Sequence, residues 1–544
     1  MSHILNPIIP GFHPDPSICR DGDSFYIVNS SFSYFPGVPI FTTKDFCNIK
    51  QIGNVLTDDE QLPLGDAGTS AGIYAPTVRY HNGLFYMITT NVSGQGNFIC
   101  TAKDPCGKWS RPVKIEGTDG IDPSIFFDDD GKLYFIGTHE NPDGPRYFGD
   151  NVLYIRELDS TTFQITGTYE NEKRFALRGA MSDANWAEGP HLYKKDGWYY
   201  IMFAEGGTGF NHSVMTARSR NIYGTYELNP CNPIISHRNL GTDYPVQYTG
   251  HADMTDAPDG SWYMVLLASR PCDGCTGLGR ETFLAQVDWE NGWPVVNKGY
   301  GRLRKEFDIP LTAEIPSNMA APDMYYSHRP SCTHFYAGLP PEFVTLRNPE
   351  KDFYTIENGI LKLKPGQFGL SEKKSVSYLA LRQTSYDYLC ETRLKLPVEE
   401  IIKKYTPDFV FEAGLAIYQS EEANLRVVIQ ARNFWGKPVF VLKGIKHCEK
   451  DENLFEFVID DYSKLADGIE LKIEQHAQYL DVFYSYGKVS EMCCARIVDV
   501  HFLSTEMASG FVGNTLGMYA CSNVSQENKS ALCTGFLYFN LENL

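Results

Sequence analysis

Five positions in the first half of this chain place an acid, an imidazole or a small residue at the start of a repeated pattern: Asp15, Ala75, Asp122, Glu188 and His251. They precede the turn glycines Gly22, Gly83, Gly131, Gly197 and Gly260 by 7, 8, 9, 9 and 9 residues. Pro follows directly in three of them (Pro16, Pro76, Pro123) and after one Gly in the fourth (Pro190). Three carboxyl groups gathered in one place raise one another's pKa, a cost that concentrates at functional sites. An acid kept protonated can supply a proton to a leaving oxygen, while another kept ionised activates water. In a chain with no nucleotide or nucleophile motif, that chemistry is hydrolysis of a glycosidic bond. The alternative for any single acid is a structural one, accepting backbone N–H bonds at a strand entrance. Three acids at matching positions favour the chemistry.

The elements that would position these residues repeat as well. The stretches "FHPDPSICRDGDSFYIVN", "YAPTVRYHNGLFYMIT", "IDPSIFFDDDGKLYFIG", "AEGPHLYKKDGWYYIMF" and "GHADMTDAPDGSWYMVLL" each read as a short strand, a turn with Gly and an aromatic strand. Gly beside Asp or Asn is hairpin chemistry, because these residues accept positive φ. Third strands follow, most clearly "PIFTTKDFCNIKQIG", "FICTAKDPCGKWSRPV" and "SVMTARSRNIYGTYEL". Each unit offers about four short strands, and repeated four-stranded sheets around an axis make a β-propeller. The expected fold is all-β. A five-bladed propeller over residues 1–305 is followed by a linker over 306–325 and a β-sandwich over 326–544. The sandwich is read from alternating segments such as "YLCETRLKL", "LRVVIQAR" and "IELKIEQHAQYLDVFYSY". The propeller would direct Asp15, Asp122, Glu188 and His251 to one mouth of its channel. Pro suits the first residues of such strands, where no ladder partner is needed.

Bulk properties narrow the partners. The net charge of −19 excludes nucleic acid and disfavours an anionic membrane surface. No run of 18 apolar residues would span a membrane. The N-terminus "MSHILNPIIPGF" lacks the regions of a signal peptide, so a cytoplasmic location with reduced thiols is expected. Only one CxxC occurs, Cys272 to Cys275, without a zinc-finger partner. The "DDD" of Asp128–Asp130 is read as a solvated turn.

Together "GFHPDPSI", "IDPSIFFDDDGKLYF", "EGPHLYKKDGWYY", "AEGGTGFNH", "TGHAD" and "GRETF" resemble glycoside hydrolase family 43, in its two-domain β-xylosidase and α-L-arabinofuranosidase branch. The resemblance implies an inverting, exo-acting mechanism. It makes Asp15 the general base, Glu188 the general acid and Asp122 the group that tunes and orients the acid. Inversion in turn implies carboxyl groups about 6.5–9.5 Å apart. The resemblance also implies that Arg280 bonds substrate hydroxyls and that Phe32 lies under the sugar ring. Tyr74 and Ala75 of "YAPT", and Glu205 and Thr208 of "EGGT", would complete the substrate-binding set. Gly206 and Gly207 make no phosphate cradle, since no Lys follows at the required spacing. Phe511 of "GFVGNTLGMYA" is the candidate for closing the pocket from the second domain; its alternative is an ordinary core residue.

No cofactor is required for this chemistry. Some relatives hold Ca²⁺ at the histidine corresponding to His251, which makes it a candidate metal ligand; its alternative is a hydrogen-bonded channel histidine. Many β-xylosidases of this branch have Trp where this chain has Tyr74, which leaves the choice between xylose and arabinose open. The expected substrate is a xylo-oligosaccharide, cut at its non-reducing end to release β-D-xylose, or an arabinose-bearing oligosaccharide. The remaining alternative is a non-catalytic sugar-binding propeller. Relatives imply a homodimer or homotetramer.

Overall fold

The computed structural model describes residues 1–166, 175–181, 183–312 and 334–544. Residues 17–296 contain five four-stranded antiparallel sheets. They begin with the strands Ser17–Asp21, Ile73–His81, Ile121–Phe127, Glu188–Lys195 and Gln247–Asp256. Each of these first strands lies against the first strand of the next sheet, and the last returns to the first, so the ring closes. The expected hairpins are present. Two are two-residue turns with both residues left-handed: Asn82 (φ 50°) and Gly83 (φ 78°), and Asp196 (φ 51°) and Gly197 (φ 73°). That is the turn whose twist matches the flanking strands.

The ring is tied shut near its ends. Ser2–Leu5 pairs antiparallel with Glu306–Ile309. The stretch expected to be a linker therefore begins as a strand of the first domain. Its remainder from residue 313 lies outside the described residues.

The second domain is a sandwich of a seven-stranded and a six-stranded sheet. In the seven-stranded sheet, Tyr388–Lys395 alternates between buried and half-buried positions, as one covered face requires. In the six-stranded sheet, Phe411–Ser420 is buried along nearly its whole length. One face of that strand packs into the sandwich through Phe411, Ala413, Leu415 and Ile417. On the other face, Ala416 and Tyr418 join a second core with Phe12, Phe32 and Tyr34 of the first domain. The "PVEEIIKKY" stretch forms one short helix, Val398–Lys404. Among the described residues no helix is long and apolar enough to cross a membrane.

One expectation about a polar residue changes. Asp128 is buried rather than solvated, accepting a hydrogen bond from the Tyr199 hydroxyl at 2.6 Å and pairing with Lys194. The CxxC is a tight turn in which Cys272 and Cys275 exchange backbone hydrogen bonds of 2.9 and 3.0 Å. Burial pushes the Cys272 thiol up to about 11, away from the thiolate form that redox chemistry needs.

A buried ion pair stands at the interdomain core. Arg347 is fully buried, pairs with Glu421 and donates from Nε to the Ala67 carbonyl at 2.6 Å. Glu421 also accepts from the Thr69 hydroxyl of the first domain at 2.7 Å. Removing one partner of such a pair strands the other charge. Glu421→Ala should therefore lower unfolding stability by about 3–5 kcal/mol in denaturant titration. The double variant Arg347→Met/Glu421→Leu should recover most of that loss, because no charge is left unpaired.

Candidate active site

The ladder is broken near the start of four of the five first strands. Register shifts fall between Tyr74 and Thr77, Ile121 and Ser124, Glu188 and His191, and Gly250 and Ala252. At each break, and at the matching position before Ser17, stands a residue with left-handed backbone. These are Asp15 (φ 50°), Ala75 (φ 22°), Asp122 (φ 54°), Gly189 (φ 57°) and His251 (φ 41°). Four of the five are not glycine, and each such residue costs on the order of 1–3 kcal/mol. The prolines follow this register: Pro16, Pro76, Pro123 and Pro190 come directly after the left-handed residue.

This corrects the sequence alignment by one residue in the fourth repeat. The counterpart of Asp15 and Asp122 is Gly189; the acid Glu188 precedes it. The reason is steric. A Cβ on Gly189 would lie 2.8–3.0 Å from the His251 ring, so the side chain is supplied one residue earlier. The Gly189 N–H donates to Asp122 Oδ2 at 3.1 Å, which ties Asp122 to the residue beside Glu188.

The three acids and His251 line one cavity of about 260 Å³, together with Phe32, Tyr74, Thr208, Arg280 and Phe511. Phe32, Tyr74 and Phe511 form one wall. Phe32 lies 5.1 Å from Tyr74 and stacks on Phe511 at 6.2 Å. The Arg280 guanidinium lies 5.8 and 5.9 Å from the Phe32 and Phe511 rings. Phe511 reaches this wall from the second domain, where its N–H donates to the Ser70 hydroxyl at 2.9 Å and its carbonyl accepts from Arg280 at 3.4 Å. It is not a core residue, being 39 % exposed. The Tyr74 hydroxyl donates to the Ser70 carbonyl at 2.8 Å.

Two expected substrate contacts lie elsewhere. Ala75 is buried at the ladder break and is not among the lining residues. Glu205 is buried beneath the site, where it accepts the Ala180 N–H at 2.9 Å. Burial raises its carboxyl above the ordinary range. It anchors the segment leading to Glu188 and leaves Gly207 and Thr208 to face the cavity.

The electrostatics separate the two acids. Burial alone would raise Asp15. Together Arg280, bonded to Oδ1 at 2.8 Å, His251 at 3.7 Å and the Ser30 hydroxyl at 2.6 Å outweigh it. Asp15 is thus held below the usual carboxylate range. Glu188 moves the other way: burial raises it well above that range, and the charges of Asp122 and Asp15 add to the rise against a smaller opposing effect of Arg280. Asp122 is raised to about 6, by burial and by Asp15, against the pull of His251 and the Gly189 N–H. A neutral acid and an ionised base thus face one cavity.

Below this cavity a second polar layer fills the channel. Asp253 is fully buried and accepts from Arg79 at 2.6 Å, Ser17 at 2.6 Å and Tyr193 at 2.6 Å. Arg79 also meets His191 Nδ1 at 2.9 Å. Burial lowers His191 to about 3, so it accepts here as a neutral ring. The sequence reading missed this layer, although Asp253 stands in the "TGHAD" stretch. It also missed Ser30 and Trp186, which lines the cavity two residues before Glu188. Trp186 falls outside the repeat frame, so no alignment of repeats would have found it.

The side chains around His251 do not by themselves assemble a Ca²⁺ ligand set. Ca²⁺ takes six to eight oxygen ligands. The carboxylate nearest His251 is Asp15, already held by a guanidinium at 2.8 Å. Among the described residues no group of three or more His, Cys, Asp or Glu side chains is arranged to hold a metal.

A cavity holding one lowered and one raised carboxyl, at the strand entrances of a ring of sheets, fits a glycosidase. Residues 4–294 match glycosyl hydrolases family 43, and residues 333–539 match the β-xylosidase C-terminal concanavalin A-like domain. The chain belongs to glycosyl hydrolase family 43. It is 44 % identical over 526 residues to a xylosidase/arabinosidase of Butyrivibrio fibrisolvens, covering 95 % of this chain and 96 % of that protein. It is 35 % identical over 528 residues to a non-reducing end α-L-arabinofuranosidase of Bacteroides ovatus, covering 95 % and 91 %. The structure of a xylan β-1,4-xylosidase from Bacillus halodurans superposes with a TM-score of 0.86 at 29 % identity, covering 99 % of this chain and all of that one.

The pKa pattern predicts the pH profile. If Asp15 is the base it must be ionised, and its lowered pKa keeps it so as pH falls. If Glu188 is the acid it must be protonated, and its raised pKa keeps it so as pH rises. The kcat/KM profile should be a bell whose rising limb reports Asp15 and whose falling limb reports Glu188. Arg280→Met removes the charge that lowers Asp15, so the rising limb should move up by about 1 pH unit or more. An unmoved rising limb would separate it from Asp15.

Proposed function

We propose that the chain is an exo-acting, inverting glycoside hydrolase. It releases terminal β-D-xylose from the non-reducing ends of xylo-oligosaccharides and cleaves α-L-arabinofuranosides in the same cavity. The five sheets are read as the five blades of a propeller, with the acids at one mouth of its channel. The observation that carries the reading is the opposed shift of Asp15 and Glu188 within one cavity. The relatives named above support the choice of sugar. A cavity of about 260 Å³, capped by Phe511, suits one sugar ring at a chain end better than a chain passing through.

In this mechanism Asp15 takes a proton from a water molecule as the water attacks the anomeric carbon. The bond to the leaving oxygen breaks as Glu188 transfers its proton to that oxygen. The products are a sugar of inverted configuration and the shortened chain, with Asp15 protonated and Glu188 ionised until solvent resets both. Asp122, held by the Gly189 N–H, keeps negative charge beside Glu188 and so keeps Glu188 protonated between turnovers. Arg280 keeps Asp15 ionised. Dual sugar specificity is favoured by Tyr74. Its hydroxyl is engaged with Ser70, so the ring offers an apolar wall that either pentose can meet.

Hydrolysis of p-nitrophenyl β-D-xylopyranoside and α-L-arabinofuranoside tests the sugar. Proton NMR of the first product should show α-xylose; β-xylose as first product would rule out inversion. Asp15→Asn should lower kcat by about 10²–10⁴-fold on every substrate. Glu188→Gln should lose about as much on xylobiose but far less on the nitrophenyl glycoside, whose leaving group needs no proton. Activity should survive prolonged chelation; a loss restored by Ca²⁺ would bring a metal at His251 back into the mechanism.

A further inference from the structure

The cavity has two aromatic walls, and the mechanism uses only one. Phe32, Tyr74 and Phe511 stand with Arg280, the partner of Asp15. Trp186 lines the same cavity beside Gly207 and Thr208, two residues before the acid Glu188. A general acid stands next to the oxygen it protonates, so the rim flanking Glu188 faces the leaving group.

That rim is built to hold an aromatic surface in place. Trp186 has left-handed backbone at φ 49°, a costly geometry for a bulky residue. Its N–H donates to the Gly149 carbonyl at 2.7 Å. A Cβ on Gly149 would lie 2.9 Å from the indole ring, and one on Gly207 would lie 3.6 Å from it. Glycine at position 149 therefore lets that backbone segment approach Trp186, while a side chain at 207 would meet the ring at ordinary contact distance. Phe148 meets Trp186 edge to face at 4.7 Å, with an interplanar angle of 83°. Yet Phe148 is 80 % exposed.

The loop presenting Phe148 is rigidly braced. The Asp150 carboxylate accepts from the Arg146 guanidinium at 2.8 Å, the Arg146 N–H at 3.0 Å and the Asn141 amide at 3.0 Å. Asn185 donates its amide to the Phe148 carbonyl, and the Tyr147 hydroxyl donates to the Ala184 carbonyl at 3.1 Å. Strain, a close glycine and a braced loop thus hold one apolar corner, Trp186 with Phe148, at the rim of the cavity. An exposed aromatic surface continuous with a binding cavity marks a binding surface.

We propose that Trp186 and Phe148 form a subsite for the leaving group, packing against the apolar C–H face of the sugar ring next to the cleaved bond. The inference rests on the glycosidase reading above and adds to it what the enzyme recognises beyond the sugar it releases. Phe511 and Phe32 would select the released sugar; Trp186 and Phe148 would select what it is released from.

The test compares kcat/KM for xylobiose with that for methyl β-D-xylopyranoside, which has no leaving-side ring. Phe148→Ala, at an exposed position where folding is not at stake, should lower the xylobiose-to-methyl-xyloside ratio by about fivefold to tenfold. Trp186→Ala should lower it further, and Phe148→Trp should restore it. A ratio within about twofold of the original protein for Phe148→Ala would overturn the subsite. Failure of the original protein to cleave either xylosides or arabinofuranosides would instead overturn the proposed function, and the subsite with it.

Discussion

Three carboxyl groups share one cavity, and Arg280 is the guanidinium bonded to one of them. The rest of the site follows from that imbalance. The guanidinium can hold one carboxylate ionised, and it bonds to Asp15 at 2.8 Å. The resulting charge on Asp15 then acts on the other two acids. It adds to burial in raising Asp122 to about 6 and Glu188 well above the carboxylate range. A base and an acid are thus produced from like residues by the placement of one cation.

Holding that arrangement takes unusual backbone. Asp15, Asp122 and His251 all adopt left-handed conformations at their strand entrances, and at the latter two the ladder is interrupted. The cost is offset by the closed ring of sheets and by the polar layer beneath, in which Asp253 is bonded by Arg79, Ser17 and Tyr193. Gly189 is the fourth member of this set, and its missing side chain makes room for His251. The site's precision therefore rests on packing as much as on charge.

The second domain completes the cavity. Its six-stranded sheet shares a core with Phe12, Phe32 and Tyr34, so its loops are held in register with the first domain. Phe511 can then stack on Phe32 and receive Arg280 at its carbonyl. A single domain would leave the apolar wall without its cap.

Much of this was legible in the chain. The hairpin turns with Gly, the aromatic strands and the alternating segments of the second half expose the all-β architecture, because local chemistry dictates turns and strand faces. The three acids and Arg280 also stand out, since Asp15, Asp122 and Glu188 occur in stretches that repeat and "GRETF" belongs to a recognisable set. Other features depended on the third dimension. Glu188 and Gly189 could be ordered correctly only when the His251 ring was seen to fill the space of a Cβ. Glu205 looks like a ligand residue in "AEGGTG" but lies under the site, because the segment around Ala180 folds over it. Trp186 and Phe148 are 38 residues apart and meet only through a close glycine and a braced loop. The sequence by itself determined the acids, their strands and their chemistry, because those follow from residue type and short-range pattern. Which acid is ionised, which aromatic faces the leaving group and which domain closes the cavity were decided by tertiary structure, because each depends on a charge or surface brought from far along the chain.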